Sequence, residues 1–195
     1  MPCCPTLLAL LLVAAPPQPE PGFTPLFNGK DLAGWHVMNG GRFSVRDGVI
    51  FLDGGSGWLR SDKEYKDFEL RMEFRFVNKG ANSGIFFRAS KDGKVYPAKN
   101  YQVQTMDHPS LASVYTAGLP GAKEKKDAAL LKKVQKSAGQ WLTYAITVRG
   151  GKLEVKVNGA AVTAAEGLAE RAGYVGIQCE GGKLEFRNIR IRELK

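Results

Sequence analysis

The stretch between residues 68 and 76 alternates at every position between apolar and charged side chains. The apolar members are Phe68, Leu70, Met72, Phe74 and Phe76, and the charged members between them are Glu69, Arg71, Glu73 and Arg75. A period of two predicts a β-strand with one buried face and one solvated face. A helix would spread the same apolar residues around its whole circumference. The chain is therefore expected to build a sheet that packs a core on one side.

Turn signals and further extended runs predict that most of the chain is β-structure. Asn and Gly residues at 78–82 separate the alternating strand from a second extended run at 84–89. Asp47-Gly48 marks the two-residue turn of a hairpin. A change of phase at Arg187-Asn188 predicts a β-bulge in the last strand. Many strands, frequent Gly turns and almost no helix predict an all-β sandwich of two sheets.

The only segment with a helical pattern lies near residues 123–136 and is rich in lysine. Leu130, Leu131 and Val134 form a small apolar stripe among its lysines. One interpretation is a basic arm for membrane or nucleic acid. The interpretation that we favour is an exposed helical turn in a loop insertion.

Composition and charge fit a single globular domain. The chain has 195 residues, of which 44% are hydrophobic, and a formal net charge of +9. The basic residues are mostly dispersed at alternating strand positions, the pattern of a solvated sheet face, so no nucleic-acid partner is expected. Two of the three cysteines, Cys3 and Cys4, stand at the N-terminus. If that end is removed, Cys179 stands alone and no internal disulfide forms.

The N-terminus predicts export. An apolar run at 7–13 is followed by two alanines, which is typical of a signal peptide over residues 1–15. A Pro-rich spacer at 16–21 and one domain at 22–195 complete the predicted organisation. The apolar run is too short to span a bilayer, so no membrane span is expected. We therefore expect a periplasmic or extracellular protein, with a disordered leader or a misplaced start as the alternatives.

Common catalytic signatures are missing from the sequence. It contains no phosphate-binding glycine loop, no H-E-x-x-H, no paired C-x-x-C and no G-x-S-x-G. It also lacks the E-x-D-x-x-E spacing of sandwich glucanases, so the ordinary glycosidase pair of carboxylates is not predicted. Asp107 and His108 could both donate to a divalent metal, but two ligands are a weak set. We therefore predict no cofactor and leave a metal open.

A set of polar residues on strands remains as the candidate site. Alternation places Gln102 and Gln104 on one face of their strand and Gln178 and Glu180 on one face of another. The same argument places Arg88 opposite Phe87. If these strands are neighbours, the amides, the acid and the single cation Arg88 would form one polar concave surface. Such a surface suits a hydroxylated ligand, with Asp107 and Tyr115 on the adjacent loop. The alternative is a solvated outer face.

Seven segments together resemble the 3-keto-disaccharide hydrolase domain family over nearly everything after Pro21. They are LFNGKDLAGW (26–35), DFELRMEFRF (67–76), ANSGIFFR (81–88), QVQTMD (102–107), AGQW (138–141), VNG (157–159) and the C-terminal stretch at 173–194. The resemblance implies a concanavalin-like jelly-roll sandwich of two antiparallel sheets in an exported bacterial protein. It also implies hydrolysis of glycosides that are already oxidised at C3 of the sugar.

The mechanism implied by the resemblance needs one base and one group that stabilises an oxyanion. A 3-keto group acidifies the proton on C2, the enolate expels the substituent on C1, and water adds afterwards. Carried onto this chain, Arg88 would polarise an oxygen, and Gln104 and Asp107 would bind hydroxyls or order a metal. Gln102 stands where many relatives have a glutamate, and Cys179-Glu180 stands where many have Asp-His. Glu180 is therefore the candidate base.

The same two departures keep another function open. A non-catalytic carbohydrate-binding module would use the same polar surface without a base. A structural envelope protein is a third possibility, for which the leader sequence is the only argument. In either of the first two cases the expected partner is a carbohydrate, and the sequence does not predict an oligomeric state.

Overall fold

The computed structural model describes residues 20–195, and the predicted signal peptide lies outside the described residues. Within that range the chain forms fifteen strands and one short helix. In chain order these are β1 (Thr24–Pro25), β2 (Trp35–Met38), β3 (Gly41–Arg46), β4 (Val49–Gly55), β5 (Gly57–Tyr65), β6 (Phe68–Phe76), β7 (Asn82–Ala89), β8 (Asn100–Met106), β9 (Val114–Ala117), β10 (Lys123–Lys126), α1 (Ala128–Val134), β11 (Leu142–Arg149), β12 (Lys152–Val157), β13 (Ala160–Glu166), β14 (Gly173–Cys179) and β15 (Leu184–Glu193).

The strands form two antiparallel sheets, as the sequence predicts. The large sheet has the order β10-β13-β12-β11-β6-β15-β4-β3, with β1 paired to β15. The small sheet has the order β2-β5-β14-β7-β8-β9. This two-sheet arrangement confirms the predicted jelly-roll sandwich. The alternating strand, β6, lies inside the large sheet between β11 and β15.

The core lies between the two sheets and consists of the side chains that alternate toward the inner face of each strand. The apolar members of β6 are at most 2% exposed. From the small sheet, Ile85, Val103 and Ile177 pack into the same cluster, each with no exposed surface. Burial of each such side chain contributes about 1.5–3 kcal/mol, so the period-two pattern decides which face of every strand turns inward.

The opposite face of the large sheet pairs its charges internally. Glu69 bonds to Arg71 and to Arg192, and Glu73 bonds to Arg187. Arg75 bonds to Glu185. Guanidinium groups of this face also lie over the rings of Phe23 and Trp141. These arginines are therefore partnered within the sheet and do not form a free basic patch.

Two local expectations are confirmed, and the extent of the helical segment is corrected. The Asp47-Gly48 hairpin joins β3 to β4 with left-handed backbone at both residues, and the bulge near Asn188 is present. The turn at 77–81 leads from one sheet to the other, because β6 belongs to the large sheet and β7 to the small one. The segment at 123–136 is helical only over α1; its first residues form β10, which pairs with β13.

Residues 20–195 contain no helix with the length and apolar character needed to cross a bilayer.

Candidate functional site

Four side-chain amides meet on the outer face of the small sheet. The strand β8 turns Tyr101 and Val103 into the core and Gln102 and Gln104 outward, as alternation predicts. Gln178 comes from β14, which is separated from β8 only by β7. The fourth amide is Asn82 of β7. We call Asn82, Gln102, Gln104 and Gln178 the amide network.

Hydrogen bonds link the amide network in one chain. Gln102 Nε2 donates to Gln104 Oε1 at 2.6 Å and to Gln178 Oε1 at 3.1 Å. Gln104 Nε2 donates to Asn82 Oδ1 at 2.8 Å. Each amide thus fixes the orientation of the next, while Gln102 is 9% and Gln104 is 7% exposed. Amides fixed in this way present N–H donors and a carbonyl acceptor in set directions, which suits hydroxyl and carbonyl groups of a ligand.

A glycine beneath the network explains part of the ANSGIFFR motif. A Cβ atom built on Gly84 would lie 2.2 Å from Gln102 Nε2, so only glycine lets this amide cross β7 to reach Gln178. Gly176 does the same for the Trp58 ring, whose Cε3 atom would lie 2.4 Å from an added Cβ. The absence of side chains at these two glycines therefore gives the outer-face side chains a flat stretch of backbone to lie on.

Tyr96, in the loop at 90–99, lies at the end of the amide network formed by Gln178. Its hydroxyl donates to the carbonyl of Cys179 at 3.3 Å, and its ring lies 6.0 Å from that of Phe86. Burial raises the pKa of Tyr96, the Glu180 carboxylate adds to the rise, and a hydrogen bond with the Gln178 side chain opposes it. Because Glu180 follows Cys179 directly, its backbone lies at the same end of the network.

Glu180 itself lies on the rim. It follows the last residue of β14 and is exposed. The next residue, Gly181, exchanges two backbone hydrogen bonds with Asn82, at 2.7 and 3.1 Å. Cys179 points the other way, and its thiol donates to the carbonyl of Gly54 in the interior. The pairing of Gly181 with Asn82 therefore holds the backbone of Glu180 beside β7, which carries Asn82 of the amide network.

Tyr115 supplies an aromatic ring at the opposite rim. It stands on β9 directly across from Gln102 in the register of β8 and β9. Half of its surface is exposed. An exposed ring beside oriented amides is typical of surfaces that stack against a sugar ring.

Arg88 does not lie on this face, and the prediction that it shares a pocket with the amides is wrong. Alternation placed it opposite Phe87, but its backbone is left-handed, with φ 49°. The pairing of β7 with β14 shifts register at the same point. This bulge reverses the phase, so that Ala89 and not Arg88 packs with the outer-face cluster.

Arg88 instead forms hydrogen bonds from the small sheet to the connecting segments next to the large sheet. It has no exposed surface. Its guanidinium donates to Asp67 Oδ1 at 3.0 Å and to the carbonyls of Gly150 at 2.8 Å, Ala169 at 2.5 Å and Lys66 at 3.1 Å. Burial lowers the pKa of Arg88, and the Asp67 carboxylate opposes that change. Such a satisfied buried cation has a structural role.

Asp107 and His108 are engaged locally. Asp107 Oδ2 accepts from the backbone N–H of Gly80 at 3.3 Å, which secures the turn at 77–81. His108 Nδ1 lies 3.2 Å from Ser110 Oγ. Over residues 20–195, no three His, Cys, Asp or Glu side chains come together in a group that could hold a metal ion. The arrangement of these two residues therefore gives no support to a metal site.

A separate groove lies on the large sheet. It has a volume of about 460 Å³ and is lined by residues that include Lys125, Asp127, Glu154 and Ala164. Lysines and carboxylates are mixed along it, over a floor of alanines. It lies away from the amide network, which belongs to the other sheet.

Sequence reasoning missed two members of the site. Asn82 stands two residues before Gly84, so the alternation of β7 could have placed it on the outer face. Tyr96 lies in an irregular loop that contains three lysines, where no periodicity indicates the direction of a side chain.

The family model described as the 3-keto-alpha-glucoside-1,2-lyase-like domain matches residues 22–192. A relative from Bacteroides thetaiotaomicron named 3-keto-disaccharide hydrolase is 26% identical over 240 aligned positions. The alignment covers 91% of this chain and 80% of that relative.

Solved structures share the fold. A Parabacteroides distasonis protein described as a candidate glycosyl hydrolase superimposes with a TM-score of 0.71 at 22% identity, covering 89% of this chain and 94% of the other. The carbohydrate-binding module CBM66 from Bacillus subtilis superimposes with a TM-score of 0.57 at 14% identity, covering 82% and 96%. At these identities the likeness establishes the sandwich architecture alone.

Proposed function

Because the chain belongs to the 3-keto-alpha-glucoside-1,2-lyase-like domain family, we propose that it cleaves the glycosidic bond of sugars oxidised at C3. The sugar would bind on the outer face of the small sheet, at the amide network. The family membership and the named relative support a carbohydrate-acting, hydrolase-like function. The 3-keto substrate, the mechanism and the roles of residues are our proposal.

The proposed reaction begins with proton transfer from C2 to a carboxylate. The electron pair of the C2–H bond forms an enolate with the 3-keto group. As the carbonyl re-forms, the electron pair from the C2–H bond forms a C1=C2 double bond and the C1–O bond breaks. The leaving group departs with the electron pair of the C1–O bond and takes up a proton. Water then adds its oxygen to C1 and a proton to C2, so the sum of both steps is hydrolysis. This route needs one base and donors for the enolate oxygen.

The outer face supplies groups for both tasks. Glu180 is the base that we propose, because the pairing of Gly181 with Asn82 holds its backbone beside the amide network. The N–H groups of Gln178 and Asn82 would donate to the keto oxygen and to the enolate. Neutral donors that are already oriented stabilise a developing negative charge without rearranging during the reaction. Tyr115 would stack against a sugar ring.

One observation carries the proposal: Gln102 is bonded at once to Gln104 and Gln178, so side chains from two strands converge on one spot. On a purely solvated outer face, side-chain amides would be exposed to water and would not be held in one orientation by each other. Polar groups arranged in this way are typical of a binding surface.

The test uses a 3-keto-glucoside with a chromogenic leaving group. We expect the wild-type protein to release the leaving group and to exchange the C2 hydrogen for deuterium in D₂O. The variant Glu180→Gln is expected to lose both activities by about 100-fold or more, because the base is removed. Its stability should be unchanged, since Glu180 is exposed. The control Glu166→Gln removes an exposed carboxylate of the large sheet and should leave both rates unchanged.

No release by the wild-type protein would refute the hydrolase, and equal rates in Glu180→Gln would refute the assigned base. A second function, a non-catalytic carbohydrate-binding module, is favoured by the exposure of Glu180 and by the neutral character of the amide network. Calorimetry that detects binding of the keto-sugar, without release of the leaving group or exchange at C2, would support that function.

A further inference from the structure

Two arginines are buried in the described part of the chain, and they differ in how their charge is compensated. Arg88 bonds to a carboxylate and to three backbone carbonyls. Arg60 is only 5% exposed, yet it makes one hydrogen bond, from Nη1 to the carbonyl of Ser61 at 2.9 Å. Its Nε is buried without a partner, and no carboxylate of residues 20–195 forms an ion pair with it. Among the described residues, Arg60 is thus a buried cation without a paired anion.

Burying the charge of Arg60 without an anion is unfavourable, so a ligand that supplies the anion would stabilise this arrangement. Removing a charge from water is unfavourable unless an opposite charge or several hydrogen bonds replace the lost hydration. The guanidinium of Arg60 lies over the Tyr174 ring, 4.3 Å from its centroid. A cation–π contact offsets only a small part of that loss. The remaining N–H groups of Arg60 are suited to an oxyanion with two adjacent oxygens, which they can bind through two parallel hydrogen bonds.

Arg60 faces the same surface as the amide network. On β5 it is aligned with Gly176 of β14, two residues from Gln178, and both project from the outer face. Strand spacing and rise place the Cα atoms of Arg60 and Gln178 about 8 Å apart. Trp58, the outward neighbour of Arg60 on β5, also has a buried N–H without a partner. Two of the unpartnered buried donors of residues 20–195 therefore share one face of one strand.

We propose that Arg60 forms an anion subsite next to the amide network. It would bind a carboxylate, sulfate or phosphate substituent on the group attached to C1 of the keto-sugar. A separation of about 8 Å suits a ligand whose first ring lies at the amides and whose second ring carries the acid. The formal net charge of +9 would also favour an acidic ligand during association. This proposal rests on the proposed function, because it names the substrate class of the same site.

The experiment compares two matched ligands by calorimetry. One is a 3-keto-glucosyl-glucose disaccharide, and the other carries glucuronic acid in the second position. We expect the wild-type protein to bind the acidic ligand about 10-fold or more tightly, with a preference that falls as salt is raised. Arg60→Gln should bind both ligands equally and the neutral one as the wild type does. Arg60→Lys should keep part of the preference, because it keeps the charge and loses the planar fork.

The control Arg46→Gln should keep the full preference. Arg46 is an exposed arginine on β3 of the large sheet, stacked on Phe51. Equal affinities in the wild type, or an undiminished preference in Arg60→Gln, would overturn the subsite. If Arg60→Gln does not fold, an undiminished preference in Arg60→Lys overturns it instead.

Measuring both binding and cleavage of the two disaccharides distinguishes a failure of the anion subsite from a failure of the proposed function. A preference for the acidic ligand without cleavage of either disaccharide would leave the subsite standing and refute the hydrolase. Cleavage of both disaccharides with equal affinity for the two would refute the subsite and leave the hydrolase standing.

Discussion

Replacing Gly84 by alanine is expected to lower the rate of keto-glycoside cleavage by about 100-fold while the protein stays folded. The added Cβ would lie 2.2 Å from Nε2 and 2.6 Å from Cγ of Gln102, so that side chain has to leave its position. The backbone of Gly84 is not left-handed and accepts alanine. Gln102 is a flexible side chain near the surface, so stability should fall only slightly. The measurement is leaving-group release together with thermal unfolding.

Gly121→Ala is the matched control, because no atom lies within 4 Å of the Cβ that it would add. This variant should keep the rate and stability of the wild type. A Gly84→Ala protein that folds and cleaves at the wild-type rate would show that the position of Gln102 is irrelevant to the chemistry.

Replacing Arg88 by methionine is expected to lower the free energy of unfolding by about 3–5 kcal/mol. The change leaves the Asp67 carboxylate without its cation and the carbonyls of Lys66, Gly150 and Ala169 without this donor. Denaturant unfolding measures the loss. Arg46→Met, which removes an exposed arginine, should cost less than about 1 kcal/mol.

The same variant separates structure from chemistry. Arg88 has no exposed surface and bonds to none of the four amides, so the fraction of Arg88→Met that remains folded should keep the wild-type turnover rate. A loss of stability below about 1 kcal/mol, or a folded variant without turnover, would contradict the structural role assigned to Arg88.

The sequence predicts the sheets well because the period of two is a local property. The alternation of β6 gives its buried face directly, since that strand packs against the core over its whole length. The same rule places Gln102 and Gln104 on the outer face of β8. Which strands are neighbours is not local, and this is why the turn at 77–81 gives no indication that β6 and β7 belong to different sheets.

At Arg88, the alternation rule predicts the wrong side of the sheet because of the backbone conformation of one residue. One left-handed residue reverses the phase of the strand, and non-glycine residues adopt that conformation rarely enough that the sequence alone gave no reason to expect it. Arg60 was overlooked for a different reason. The absence of a partner for a charge is a property of the folded chain, and no spacing in the sequence reports it.

The site differs from the expectation in the kind of group that would stabilise an oxyanion. The resemblance implied an arginine, whereas the folded chain places oriented neutral amides on the outer face and buries Arg88 elsewhere. Neutral donors would bind the keto form and the enolate without neutralising the adjacent Glu180. This arrangement is compatible with a carboxylate base close to the oxygen that becomes negative.

The most direct test of the account is a map of where a keto-sugar binds. Side-chain amide resonances of Gln102, Gln104, Gln178 and Asn82 can be followed by ¹⁵N–¹H spectroscopy during titration with 3-keto-glucose. We expect these four pairs of signals to shift first and together, with those of the large sheet unchanged. Shifts confined to the groove formed by Lys125, Asp127 and Ala164, with the four amides unaffected, would contradict the placement of the site on the small sheet.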